Sequence, residues 1–261
     1  MSQTVIAIAN QKGGVGKTTT TINLGAYLQA QGSSVLIVDL DPQANTTSGL
    51  GVDRAQVKHN IYHGLHDPEL AADVLHSTSH KLQLIPSTPE LAAAEVELVQ
   101  EIAREQRLKQ LLSKYQFDYV LIDCPPSLGL LTINALTAAD YVMVPVQAEY
   151  FALEGLGNLL ETMRRVKQAL NPNLSLLGVL LTMHSSRTTL SSQVHDEVKK
   201  HFPDKVFDAI IPRNVRLAEA PSYGQPISKH DGWSKGARSY KTLAKEVHKR
   251  VVNNEKGRDG K

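Results

Sequence analysis

The octapeptide Lys12-Gly13-Gly14-Val15-Gly16-Lys17-Thr18-Thr19 constrains this chain more than any other stretch. It follows the apolar run Val5–Ala9 and opens a helical pattern at Lys17. A glycine-rich turn between a strand and a helix is the setting in which backbone N–H groups converge on a phosphate. The glycines let the chain curl so that successive N–H groups face inward, and the N-terminus of the next helix favours an anion. In that arrangement Lys17 sets its ammonium on the β- and γ-phosphates of a nucleotide, and the Thr18 hydroxyl becomes a ligand for Mg2+. The common pattern G-x-x-x-x-G-K-[ST] would put glycine at position 11, where this chain has Gln11, and a second lysine, Lys12, precedes the glycines.

Short apolar, β-branched runs alternate with longer helical patterns elsewhere. The runs are Val5–Ala9, Val35–Val38, Leu82–Ile85, Tyr119–Ile122, Tyr141–Val146, Leu176–Leu181 and Val206–Ile211. Most are continuously hydrophobic, as strands covered on both faces are. Helices are predicted over Lys17–Gln31, Pro89–Ser113, Gly129–Ala139, Ala152–Leu170 and Leu190–His201. Such alternation calls for right-handed crossovers, so the predicted fold is α/β: a mainly parallel twisted sheet flanked by helices on both faces. The 261 residues can bury one large core. With no repeat or linker to divide them, residues 1–252 are expected to form a single domain. Ala237–Val252 reads as an amphipathic helix with Tyr240, Leu243, Ala244, Val247 and Val251 inward. Residues 253–261 are polar and expected to be a disordered tail. Between residues 52 and 80 the pattern is least legible. His59, His63, His66, His76 and His80 have no cysteine and few carboxylates beside them, and they read as polar surface residues before they read as metal ligands.

Two carboxylate segments sit where a phosphate site needs them. Asp39-Leu40-Asp41-Pro42-Gln43 follows the run Val35–Val38, and carboxylates at the C-terminal end of a parallel strand lie on the ligand-binding edge of such a sheet. Either aspartate could instead cap a turn before Pro42, Asp39 more readily than Asp41. Asp123-Cys124-Pro125-Pro126 follows the run Tyr119–Ile122, and an aspartate ending a strand is the Walker B pattern that binds Mg2+, usually through a water. Cys124 is the single cysteine, too few for an internal disulfide or a cysteine-rich metal site, and it reads as a buried thiol. The N-terminus lacks the basic and apolar regions of a signal peptide, and no run approaches the ~20 apolar residues that span a bilayer.

Together these segments resemble the ParA/Soj family of DNA-partitioning ATPases, of the deviant Walker A class of P-loop NTPases. The resemblance extends to Leu180–Thr188 and to Ile211-Pro212-Arg213-Asn214-Val215-Arg216-Leu217-Ala218-Glu219-Ala220-Pro221-Ser222, and it covers residues 4 to about 250. It implies a single ATPase domain that uses ATP and Mg2+, with a nucleotide loop of Lys12, Gly13, Gly14, Val15, Gly16, Lys17, Thr18 and Thr19 and an adenine contact near Pro212. It makes Lys12 the lysine that reaches the partner's phosphates in an ATP-dependent homodimer. The segment from Asp39 becomes switch I, where Asp41 orients the attacking water and joins Thr18 and Asp123 at the metal, and Asp39 lies near the Mg2+ shell. Asp123 and the loop behind it become switch II. The dimer would bind double-stranded DNA without sequence preference. A ParB-type centromere-binding protein would stimulate hydrolysis and release it, in a cytoplasmic, nucleoid-associated cycle without a membrane. With the first strand starting near residue 1, the chain resembles the short chromosomal-type members that lack an N-terminal helix-turn-helix domain.

Charge distribution agrees with a polyanionic partner. The net charge is +2, but residues 1–183 hold 12 Lys/Arg against 17 Asp/Glu, whereas residues 184–261 hold 16 against 9. The resemblance places Arg187 and Arg216 at DNA, and charge alone adds Lys199, Lys241, Lys245 and Lys249. Arg213 is open to a nucleotide-side or a structural role. Two other readings use the same phosphate loop. One is a MinD-like membrane-positioning ATPase, although the tail 253–261 has no apolar residue to enter lipid. The other is an ATP-dependent biosynthetic ligase. A nitrogenase-reductase-like protein would need more cysteines.

Overall fold

The computed structural model describes residues 3–149, 154–185 and 188–259. Strands β1 (Thr4–Ile8), β2 (Val35–Asp39), β3 (His76–Ser77), β4 (Gln83–Ile85), β5 (Tyr119–Asp123), β6 (Tyr141–Gln147) and β7 (Ser175–Thr182) form one sheet in the order β3-β4-β2-β5-β1-β6-β7. Every pairing is parallel except β3 with β4. The helices are α1 (Lys17–Ala30), α2 (Asn45–Gly49), α3 (Ile61–His66), α4 (Leu91–Glu97), α5 (Arg107–Leu112), α6 (Leu130–Ala138), α7 (Glu154–Ala169), α8 (Thr189–His201), α9 (Val215–Glu219), α10 (Ile227–His230) and α11 (Lys235–Asp259).

Side chains of successive strand residues leave on opposite faces, so each strand feeds two cores. Ile6 and Ile8 of β1 pack with Leu24 and Leu28 of α1 and with Leu243 and Val247 of α11. Val5 and Ala7 face the other way, toward Leu65 of α3, Leu111 of α5, Leu131 and Ala135 of α6, Leu159 of α7 and Val198 of α8. Helices thus cover both faces, and the central strands show no polar alternation because neither face meets water. The parallel register pairs Ile8 and Asp39 with Asp123, so the C-terminal ends of β1, β2 and β5 finish level at one sheet edge.

Three expectations are corrected. Val206–Ile211 is not a strand. Two isolated bridges, Val179 with Val206 and His184 with Pro212, and backbone bonds such as Phe207 N–H to Val179 C=O at 3.0 Å and Ile211 N–H to Leu181 C=O at 2.9 Å tie this segment to the edge of β7 without a continuous ladder. Side chains of α11 take other backbone groups. The Glu246 carboxylate accepts from the N–H groups of Asp208 and Ala209, both at 3.0 Å, and the Arg250 guanidinium donates to the carbonyls of Leu177, Lys205 and Val206. That guanidinium also lies 4.1 Å from the Phe207 ring centroid. Charge-assisted bonds of this kind compete well with a strand ladder at an exposed edge.

The stretch Pro89–Ser113 is not one helix. After α4 it passes through two short 3-10 turns and a left-handed residue, Ala103 (φ 56°), before α5. Asn134 of α6 fixes the break: its side-chain oxygen accepts from Leu108 N–H at 3.1 Å, and its amide donates to Arg104 C=O at 2.9 Å. A tertiary cap outweighs the local helix preference of this run. Finally, α11 runs on to Asp259 rather than ending at Val252. No glycine or proline occurs between 237 and 256 to stop the helix.

The illegible 52–80 stretch crosses the sheet edge through α3 and β3, and its histidines serve backbone groups. His63 completes a capping box with Asn60, His76 bonds His59 C=O at 3.0 Å, and His80 bonds Gly224 C=O at 2.9 Å.

Candidate functional site

The loop from Ala9 to Gly16 is pinned at both ends. The Asn10 amide donates to Pro145 C=O at 2.7 Å, its oxygen accepts from Lys12 N–H at 3.0 Å, and the Thr182 hydroxyl donates to Val15 C=O at 2.8 Å. Gly14 (φ +73°) and Gly16 (φ +90°) take left-handed conformations that side-chain-bearing residues rarely adopt. Gly13 and Gly14 face open space. They border a cleft of about 580 Å3 that also meets Lys17, Thr18, Asp41 and Pro126. Beside it, past Gly16, Thr19 and Met183, lies a smaller slot of about 170 Å3 walled by Pro212, Leu217 and Tyr240. Arg213 also borders this slot.

Both loop lysines already have contacts. Lys17 is buried, and its Nζ donates to Lys12 C=O at 3.3 Å. Burial lowers its pKa, while the negative charge of Asp123 opposes that shift. Lys12 Nζ lies 3.1 Å from Glu149 Oε2, with both side chains partly exposed.

Asp123 and Asp39 stand side by side at the ends of β5 and β2. The hydroxyls of Thr18 and Thr46 both donate to Asp123 Oδ2, each at 2.7 Å. Asp123 Oδ1 is buried and has no hydrogen-bond partner among the described residues. Asp39 Oδ2 accepts from Thr47 N–H and Thr47 Oγ1 at 2.8 and 2.7 Å, and Oδ1 accepts from Asp41 N–H at 3.3 Å. Burial pushes both carboxyls above their ordinary range. Asp41 lies one step nearer the cleft and accepts from Gln43 N–H at 2.9 Å.

The structure thus brings Gly13, Gly14, Gly16, Lys17, Thr18, Thr19 and Asp41 around one cleft, with Asp123 buried behind Thr18, and places Pro212 in the adjoining slot, while Lys12 and Val15 do not line the cleft. Asp39 ties Asp41 to Thr47, behind the cleft wall. Thr46 and Thr47 went unrecognised in the sequence. Hydroxyl residues in a loop carry no signal of their own, and only the register of β2 on β5 aims them at the two aspartates. Cys124 is buried, and burial raises its thiol pKa, so it offers no nucleophile.

The candidate DNA residues are dispersed. Arg187 lies outside the described residues. Arg216, on α9, is exposed and approaches Glu219 at 2.9 Å and Asp231 at 3.7 Å. Lys199 belongs to α8, whose Val194 and Val198 pack into the core opposite that of α11. Lys241 and Lys245 are exposed on α11.

A buried carboxylate with one oxygen unpartnered and the other bonded to the Thr18 hydroxyl, behind a glycine loop that lines a cleft, fits a hydrated Mg2+ with a nucleotide polyphosphate. Known proteins agree with this fit. Residues 3–176 match a family model described as an AAA domain. The chain is 57% identical over 246 residues to the sporulation initiation inhibitor protein Soj of Bacillus subtilis, covering 93% of this chain and 97% of that protein. It is 51% identical to the chromosome partitioning protein ParA of Myxococcus xanthus, covering 94% of this chain and 88% of that one. Among solved structures it is similar to a cobyrinic acid a,c-diamide synthase from Mycobacterium smegmatis with bound ADP and magnesium, at 40% identity, TM-score 0.86 and 97% coverage of both chains.

Proposed function

We propose a working cycle from one premise: this chain belongs to the Soj/ParA family of chromosome-partitioning ATPases. The observation that carries it is the pair of threonine hydroxyls on one oxygen of buried Asp123, one of them from Thr18 of the phosphate loop, while its other oxygen is buried with no hydrogen-bond partner among the described residues. Thr18 and Asp123, the latter through water, would hold Mg2+, which would neutralise charge on the phosphate oxygens. The N–H groups of residues 13–18 and the Lys17 ammonium bind the phosphates, and the slot at Pro212 takes the base. Asp41 orients the attacking water. Thr46 and Thr47 lie on the segment that also carries Asp41, so they join this switch segment to the two buried aspartates, and a γ-phosphate can bias its position.

Lys12 completes the site in trans. Its contact with Glu149 is a partly exposed ion pair, and such pairs contribute little, about 0–1 kcal/mol, so a partner's phosphates can outcompete it. ATP then favours a homodimer, the dimer binds duplex DNA without sequence preference, and a ParB-type partner stimulates hydrolysis and release. The setting is the cytoplasm and nucleoid. No helix among the described residues is long and apolar enough to cross a membrane. The apolar residues of α11 as far as Val251 face the core, which disfavours the MinD-like reading.

A second reading, an ATP-dependent amide-forming synthase, draws on the likeness to the diamide synthase. Turnover that requires a carboxylate substrate and ignores DNA would favour it. Sedimentation separates the readings further. With Mg2+ and a non-hydrolysable ATP analogue the protein should sediment as a dimer, and with ADP as a monomer. Lys12→Ala should remain monomeric in both. The same mass in every nucleotide state would reject the cycle.

A further inference from the structure

Large apolar side chains seldom stand bare side by side on a protein surface, and a patch of them marks a contact site. Val96, Val99 and Ile102 are 75%, 50% and 90% exposed, and they make up half of the large exposed apolar residues among those described. Val96 lies on α4, Val99 on the 3-10 turn behind it, and Ile102 just past that turn. Residues three apart in helical and 3-10 geometry share a face, so Val96 and Val99 stand together as a short apolar ridge that Ile102 extends. The inner face of this stretch is already committed, since Leu91, Ala94 and Leu98 are buried in the core.

The ridge is framed by acid. Residues 90–107 hold five glutamates and two arginines. Both arginines are tied within the segment, Arg104 to Glu105 at 3.0 Å and Arg107 to Glu101 at 2.7 Å. Glu97 is held from α3 by the Tyr62 hydroxyl at 2.8 Å and by His66 at 3.2 Å. The surplus charge is negative, so the complement of this surface is a segment that alternates apolar residues with Lys or Arg. A second copy of this chain is a poor occupant. Two such ridges meeting face to face would set glutamates against glutamates.

Two contacts join the ridge to the nucleotide site. Glu95 reaches from α4 to Gly129, the residue that opens α6. Its Oε1 is buried with no hydrogen-bond partner among the described residues, and a Cβ placed on Gly129 would lie 2.2 Å from it. The second contact runs through the backbone. The Arg104 guanidinium donates to Val99 C=O, and Arg104 C=O accepts from the Asn134 amide of α6 at 2.9 Å. A buried carboxylate oxygen with nothing to bond is held at a cost, so a cation arriving on the ridge can draw Glu95 off Gly129. Gly129 ends the loop that begins at Asp123 and borders the nucleotide cleft at Pro126.

We propose that the ridge of Val96, Val99 and Ile102 is the docking surface for a cationic amphipathic segment of a partner protein, and that Glu95 relays its arrival to the loop behind Asp123 and so raises the rate of ATP hydrolysis. The inference rests on the ATPase reading above and is independent of where DNA lies.

The test uses a synthetic peptide of about four helical turns, with Leu on one face and Lys on the other, and a control peptide with Glu in place of Lys. Fluorescence anisotropy with the full chain reads binding, and phosphate release reads ATP turnover. Thermal melting checks that every variant is folded. The wild type should bind the Lys peptide, hydrolyse ATP several-fold faster with it, and ignore the Glu peptide. Val96→Ser with Ile102→Ser should bind the Lys peptide roughly 10-fold more weakly and keep its basal turnover. Trp233→Ser, at an apolar residue exposed elsewhere, should match the wild type. Glu95→Gln should bind within a few-fold of wild type and lose the stimulation. Wild-type affinity in the double variant, or equal binding of both peptides, would overturn the docking surface. Stimulation that survives Glu95→Gln would overturn the relay. Failure of the double variant to dimerise with an ATP analogue, where the wild type does, would make the ridge an interface between copies and overturn the proposal. A wild type without ATP turnover, with or without peptide, would overturn the ATPase reading and the relay with it, while the binding measurements still judge the surface.

Discussion

Lys17→Ala should remove measurable ATP binding, with affinity falling by roughly 10²–10³-fold. A unit charge about 4 Å from a phosphate oxygen is worth on the order of 4 kcal/mol at an effective dielectric of 20, which sets that scale. The surroundings push the same way. Asp39, Asp41 and Asp123 crowd the end of the sheet, and Lys17 is the buried cation facing them. Without it, a polyphosphate would meet a cluster of carboxylates. The ammonium also spans the loop to Lys12 C=O, so its loss loosens the cradle. Calorimetry with ATP and Mg2+ measures the effect. Affinity within a few-fold of wild type would remove Lys17 from the phosphate site.

Asp41→Ala should separate binding from chemistry. Nucleotide affinity should persist, because the phosphate contacts come from the loop and Lys17. Hydrolysis should fall by roughly 10²–10⁴-fold, the usual contribution of a positioned acid–base group, and the ATP-bound dimer should accumulate. Asp41 also accepts from Gln43 N–H, so alanine removes a turn contact as well as a carboxylate. Asp41→Asn resolves the two effects, since its side-chain oxygen can keep that bond without the charge. If Asn hydrolyses ATP at the wild-type rate while Ala does not, Asp41 is a turn-holding residue and another group orients the water.

Much of this site was legible because its signals are local. Lys12 to Thr19 declares a strand–loop–helix junction by spacing alone, and Asp123 announces itself by ending an apolar strand. What stayed hidden depends on distant contacts. Thr46 and Thr47 become meaningful only when β2 lies on β5. Val206–Ile211 has the composition of a strand, yet Glu246 and Arg250, roughly forty residues later, take the N–H groups of Asp208 and Ala209 and the carbonyl of Val206. Asn134 breaks the helix predicted across residues 89–113 from another element. The two-residue β3 is too short to show a period.

The central claim is that the nucleotide state controls DNA binding. Its most direct test is the affinity of the wild-type protein for a random-sequence duplex with a non-hydrolysable ATP analogue, with ADP, and without nucleotide, at one moderate salt concentration. Tight binding with the ATP analogue alone, reversed by added salt, is the predicted result. Equal affinity in all three states, or none in any, would contradict it.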